Sequence, residues 1–178
     1  MKAIEQKLLF ILVYLKTYPL QVVLGEMFGL SQGGANQWVH RLLPMLQAAL
    51  NRLGVKPERE GRQFATAERR TVARRDYTID GTERRRQRPK TLEKQALHYS
   101  GKKKTHSDKN VVIVHTPSKR VAYLSPTCPG KTHDKKVADR ERIAYPRRTL
   151  LRKDTGFQGY EPEVQQTLQP KKSRAVTN

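Results

Sequence analysis

Acidic side chains held inside a strongly basic chain are the residues here that could do chemistry. Asp80-Gly81-Thr82-Glu83 sets two acids beside a glycine, and Asp134 and Asp154 follow in turn-like settings. Around them, 36 Lys and Arg face 16 Asp and Glu over 178 residues, a formal net charge of +20. Carboxylates kept within such a field suggest a metal site working on a polyanion. Nucleic acid is the simplest polyanion, and phosphoryl transfer the matching chemistry.

Composition narrows the setting. No run approaches the roughly 18 apolar residues that a membrane-crossing helix needs, so no membrane partner is expected. The apolar stretch from Leu8 to Leu15 is preceded by Glu5 and followed by Thr17-Tyr18-Pro19, without a small-residue cleavage site; it reads as a buried helix face, not a leader. The single cysteine, Cys128, excludes an internal disulfide framework and fits a reducing cytoplasm. Charge is unevenly placed. Residues 1–55 carry a net +3 and the remainder a net +17, which implies two functional units.

The elements that must position these residues begin with helices. Ile4, Leu8, Ile11, Leu12 and Leu15 fall at helical spacing, which predicts a first helix with that stripe inward. Pro19 ends it. A second helix is expected over about 20–28, stopped by Gly29, and a third from the N-cap Ser31 to about Leu43, where Pro44 kinks or restarts it. Leu24, Phe28, Gly29, Leu30, Ala35 and Trp38 give a helix-turn-helix pattern. The exposed face of its third helix would offer Gln32, Asn36, Gln37, His40 and Arg41 to base edges and phosphates.

Residues 55–75 have few large apolar side chains and many charges, which predicts a linker or poorly packed strap between domains at 1–54 and 76–178. Tyr77 to Asp80 reads as a short strand ending in an acid. Between 84 and 106, nine cations (Arg84, Arg85, Arg86, Arg88, Lys90, Lys94, Lys102, Lys103 and Lys104) stand against Glu93, with Tyr99 and His106 interleaved. A solvated loop is the bland reading; contact with a phosphate backbone explains the excess better. Val111–Val114 and Arg120–Leu124 form a hairpin about Thr116-Pro117-Ser118-Lys119. His133-Asp134 opens a helix with Val137, Ala138 and Ile143 inward, and Leu150-Leu151 a strand ending at Asp154.

Asp80-Gly81-Thr82-Glu83, Arg88-Pro89, Tyr99 to Lys104, Lys109-Asn110, Leu124-Ser125-Pro126, Pro129 to Lys136 and Asp154 to Gly159 together resemble, in that order, bacterial insertion-sequence transposases. These are DDE-type enzymes related to the PIF/Harbinger group, with a helix-turn-helix ahead of a ribonuclease-H-like core. The resemblance spans residues 8–172. It implies an α+β fold with an α/β core: an N-terminal helix-turn-helix bundle followed by an incomplete ribonuclease-H-like mixed sheet. It also implies carboxylates on neighbouring strands holding two divalent metals, for which Mg²⁺ or Mn²⁺ suits all-oxygen ligation.

Asp80 matches the family's first acid. The second is open between Asp134 and Asp154; in a ribonuclease-H topology the acid ending the fourth strand lies beside the first, which favours Asp154 and leaves Asp134 as helper or alternative. Simpler readings of the acids are a helix N-cap at Asp134, an Asx turn at Asp154, and an arginine partner at Glu83. The family's third acid should come from a later helix, and only Glu161 and Glu163 follow Asp154, so a truncated or frameshifted chain, inactive alone, is expected. The resemblance also implies terminal-repeat duplex DNA as partner, a homo-oligomer, and a bacterial cytoplasmic location at the nucleoid. Competing classes are a non-catalytic DNA-binding protein and a basic RNA-binding protein.

Overall fold

In the computed structural model, which describes residues 3–67 and 75–170, the chain divides into units Met1–Lys56 and Pro57–Asn178, each with its own apolar core. Three helices build the first unit: α1 (Ile4–Thr17), α2 (Gln21–Phe28) and α3 (Gln32–Arg52). Tyr18 turns left-handed before Pro19 to end α1, and Gly29, at φ 63°, ends α2 in the conformation that glycine adopts most cheaply. Ser31 caps α3, its hydroxyl accepting from Gly34 N at 3.1 Å. α3 then runs through Pro44 as one element, not two.

Phe10, Ile11, Leu24, Ala35, Val39 and Leu42 form the buried centre, with Phe28, Leu30 and Trp38 partly buried against it. The expected inward stripe of α1 is corrected here. Ile4, Leu8, Leu12 and Leu15 are exposed, and of that set only Ile11 is buried, beside Phe10. The physical reason is that residues 8–15 are apolar almost all round the helix, so several stripes satisfy the period and only the packing of α2 and α3 selects one. The cations of Lys7 and Arg41 each lie 5.4 Å from the centroid of the Trp38 ring.

The second unit is a mixed sheet. Its long strands are β1 (Asp76–Arg85) and β3 (Thr105–His115), separated by α5 (Leu92–His98) and the short β2 (Tyr99–Ser100). After them come β4 (Arg120–Leu124), β5 (Cys128–Pro129), α6 (Asp134–Glu141), β6 (Leu150–Lys153) and β7 (Gln166–Leu168). β3 pairs antiparallel with β1 along one edge and with β2, β5 and β4 along the other. β1 and β6, and then β6 and β7, are parallel. The order β4-β3-β1-β6-β7, with α6 in the crossover into the parallel half, is the one expected of a ribonuclease-H-like core, and the whole is an α+β fold.

One face of the sheet carries the core: Tyr77, Ile79, Val111, Ile113, Tyr123 and Leu151 pack with Val137 and Ala138 of α6. Ile143 joins them, as expected from the sequence. Part of the expected linker is corrected. Glu58 bridges to Tyr123, residues 61–67 form a 3₁₀ turn running into α4 (Phe64–Ala67), and Phe64 is fully buried, edge-on to Tyr77 and Tyr145. A single aromatic in a charged stretch is enough to dock it, because ring burial outweighs the average polarity of its neighbours. Residues 68–74 of that segment, and 171–178, lie outside the described residues.

Candidate metal site and nucleic-acid interface

Parallel pairing of β1 with β6 runs from Asp76↔Leu150 to Ile79↔Lys153. Asp80, within β1, and Asp154, the residue directly after β6, each follow the last pair of that register. Alternation puts Ile79, Gly81 and Glu83 on the packed face and Asp80 on the opposite, exposed one. β1 does not stop at Asp80 but continues to Arg85, so the acid stands mid-strand where its partner strand ends. Both carboxylates use one oxygen locally. Asp80 Oδ1 accepts from Gly81 N at 2.7 Å, and Asp154 Oδ1 accepts from Gly156 N at 2.9 Å, an Asx turn that caps Thr155–Phe157.

Asp134 has different surroundings. It is the first residue of α6, with His133 as the N-cap. Its Oδ1 lies 2.9 Å from Lys109 Nζ and is buried without an aligned hydrogen bond. Lys109 also lies 3.3 Å from Glu83 and donates to the Thr132 carbonyl at 2.8 Å, while Ser107 donates to Glu83 at 2.9 Å. All three charged side chains are largely buried, which makes them a carboxylate–ammonium–carboxylate triad that ties β1, β3 and α6 together.

Burial works against both charges and is outweighed in each case. For Glu83, hydrogen bonds from Ser100 and Ser107 and the Lys109 charge bring the carboxyl below its ordinary value despite burial. For Lys109, burial is overcome by the contact and charge of Asp134 and then of Glu83, which raise the ammonium above its ordinary value. Glycines make the room. A Cβ at Gly81 would come within 2.5 Å of Asp134 Oδ1, and one at Gly156 would lie 3.0 Å from Asp134 Oδ2 and 3.1 Å from Asp154 Oδ1. Asp134 therefore packs against Gly81 and Gly156, the glycines next to Asp80 and two residues after Asp154.

The donor chemistry can be tested residue by residue. Asp80 and Asp154 are exposed, and each has a second carboxylate oxygen that takes no hydrogen bond among the described residues, which fits a hard divalent ion. Asp134 is already neutralised by Lys109. Among the described residues, no group of three or more His, Cys, Asp or Glu side chains is arranged to hold a metal ion.

Cations surround this region. Arg84, Arg85, Arg86, Lys102, Lys103 and Lys104 are all exposed, the lysines on the turn between β2 and β3. Arg84 is steadied by Asn110 at 2.8 Å and Arg86 by Asp108 at 2.9 Å. In the helical unit, Gln32, Gln37, His40 and Arg41 are exposed along α3, whereas Asn36 accepts from Gln21 of α2 at 3.1 Å. The role of Lys109 was not legible from the sequence, where Lys109-Asn110 enters only as one motif in the series; the alternation of β3, with Ser107, Lys109 and Val111 all inward, is the signal that could have found it.

Residues 79–174, more than half of the chain, match the DDE superfamily endonuclease family, and residues 3–52 match the helix-turn-helix of DDE superfamily endonuclease. No curated protein and no solved structure matches the chain. Those two matches agree with the strand order and the helix–turn–helix geometry, and the chain belongs to the DDE superfamily of endonucleases as a transposase-like protein.

Proposed function

We propose that this chain is an insertion-sequence transposase of the PIF/Harbinger type, which binds the terminal repeats of its element as a homo-oligomer and acts on DNA strands at Asp80 and Asp154. The observation that carries this reading is the β1–β6 register, which runs out one residue before each of these aspartates. Endonucleases of this superfamily generally use divalent metals. Here Asp80 and Asp154 would hold Mg²⁺ or Mn²⁺. A bound ion of this kind polarises a phosphoryl oxygen and activates the attacking one.

The chain's own residues do the rest. Lys109 holds Asp134 against Gly81 and Gly156, which fixes the two backbone segments that carry Asp80 and Asp154. Arg84, Arg85, Arg86 and Lys102 to Lys104 hold phosphates beside them, and Gln32, Asn36, Gln37, His40 and Arg41 on α3 read the duplex. Calorimetric titration of the full chain with Mn²⁺ tests the site. Binding should be lost in both Asp80→Asn and Asp154→Asn, with affinity for duplex DNA unchanged or slightly higher. Mn²⁺ binding that survives both substitutions would reject the assignment.

A further inference from the structure

Beyond the acidic residues, the surface of the second unit carries an open cavity of about 600 Å³ between α5, β2, β3 and the loop at Lys131. Its size is in the range that accepts small-molecule-sized groups. Tyr99 and His106 stand edge to face on its wall, centroids 5.6 Å apart, and Tyr99 remains 45% exposed. Arg88 lies at the rim. Gln95 Oε1 accepts from its Nε and Nη2 at 3.0 and 2.9 Å, and Gln95 in turn donates to the Pro89 carbonyl. The guanidinium plane is thus set in advance, with Nη1 making no hydrogen bond within the described residues. Lys131 lines this cavity and also a second one of about 280 Å³, whose walls include Lys102, His133, Asp134 and Gly156.

An exposed aromatic face, a pre-oriented guanidinium and a lysine shared with the cavity that reaches Gly156, beside Asp154, are the parts list for one nucleotide out of the duplex. The aromatic ring offers a stacking surface that any base can use, and the cations match its phosphates. A solvated surface does not need Arg88 fixed by a side chain that is itself fixed. Bases inside a duplex cannot stack on Tyr99, because both their faces are covered by their neighbours in the stack, and the last pair of a blunt end offers one face only.

We propose that this cavity binds an unpaired nucleotide of the DNA next to the position where the strand is acted upon, with the base stacked on Tyr99 and its phosphate between Arg88 and Lys131. This rests on the reading of the chain as a DNA-end-binding transposase. It adds that the preferred substrate has unpaired bases beside the duplex.

Fluorescence anisotropy of the full chain with two DNAs of the same duplex sequence tests this, one blunt and one with a short single-stranded overhang carrying 2-aminopurine. The overhang DNA should bind about tenfold more tightly, as expected for stacking of one base, with 2-aminopurine emission quenched on binding. Tyr99→Ala should collapse the overhang-to-blunt ratio toward one and restore the emission, and Tyr99→Phe should preserve both. Arg88→Ala should lower the ratio in the same direction. Equal affinity for the two DNAs, or a ratio untouched by Tyr99→Ala, would overturn the site while leaving the DNA-binding reading intact. No binding of either DNA would overturn that reading and this site together.

Discussion

Lys109 shows how one side chain decides what its neighbours can do. Without it, Glu83 and Asp134 would share a buried space with no counter-charge; with it, both carboxylates are paired to one ammonium. Removing one member of a buried ion cluster leaves the others uncompensated, so Lys109→Met should destabilise the core unit by about 3–5 kcal/mol, read from urea unfolding. The pH dependence follows from the two shifts. Glu83 is lowered from 4.5, so its contribution is complete above that value and is lost as pH falls through the depressed folded value. Lys109 is raised from 10.5, so its contribution is complete below that value and is lost as pH rises through the folded value. Both limbs of the stability profile should flatten in Lys109→Met; a profile parallel to that of the unaltered chain would show that the triad does not set them.

At the scale of elements, the turn between α2 and α3 depends on a close approach. A Cβ at Gly25 would lie 2.5 Å from the Leu30 carbonyl, and Leu30 N donates back to Gly25 O at 2.9 Å. Neither partner of that clash is a flexible side chain. Gly25→Ala should therefore open the turn and reduce DNA affinity, although alanine is the better helix former; normal helicity and affinity would show that the turn shifts freely. On α3, Gln37 and His40 are exposed and Asn36 is tied to Gln21. Exchanging Gln37 or His40 for alanine should change sequence preference, measured by competition among duplexes. Neutralising Arg84, Arg85 and Arg86 together should instead weaken all duplexes alike.

For the molecule as a whole, the charge of +20 is the governing quantity. Each phosphate neutralised releases counterions, so affinity for duplex DNA should fall with salt at a log–log slope of about −0.9 per contact. Replacing Arg84, Arg85 and Arg86 by glutamine should make that slope shallower by up to about three contacts. A slope indifferent to the substitution would place the phosphates elsewhere on the surface. No helix among the described residues is long and apolar enough to cross a membrane.

Features set by local chemistry were legible in the sequence. Gly29 and Ser31 mark the helix-turn-helix because a left-handed residue and a hydroxyl cap act within a few residues of chain, and the β3–β4 hairpin follows from two apolar runs about a four-residue turn. The order of strands and the positions of the acids at 80, 134 and 154 came from motifs in series. What the tertiary structure decided was contact at long range. Which stripe of α1 is buried, whether Phe64 docks, and which carboxylate meets Lys109 all depend on residues far apart in sequence. Asp80, Asp134 and Asp154 look alike as letters. Only the alternation of β1, the start of α6 and the end of β6 give two of them exposed oxygens and the third a buried ammonium.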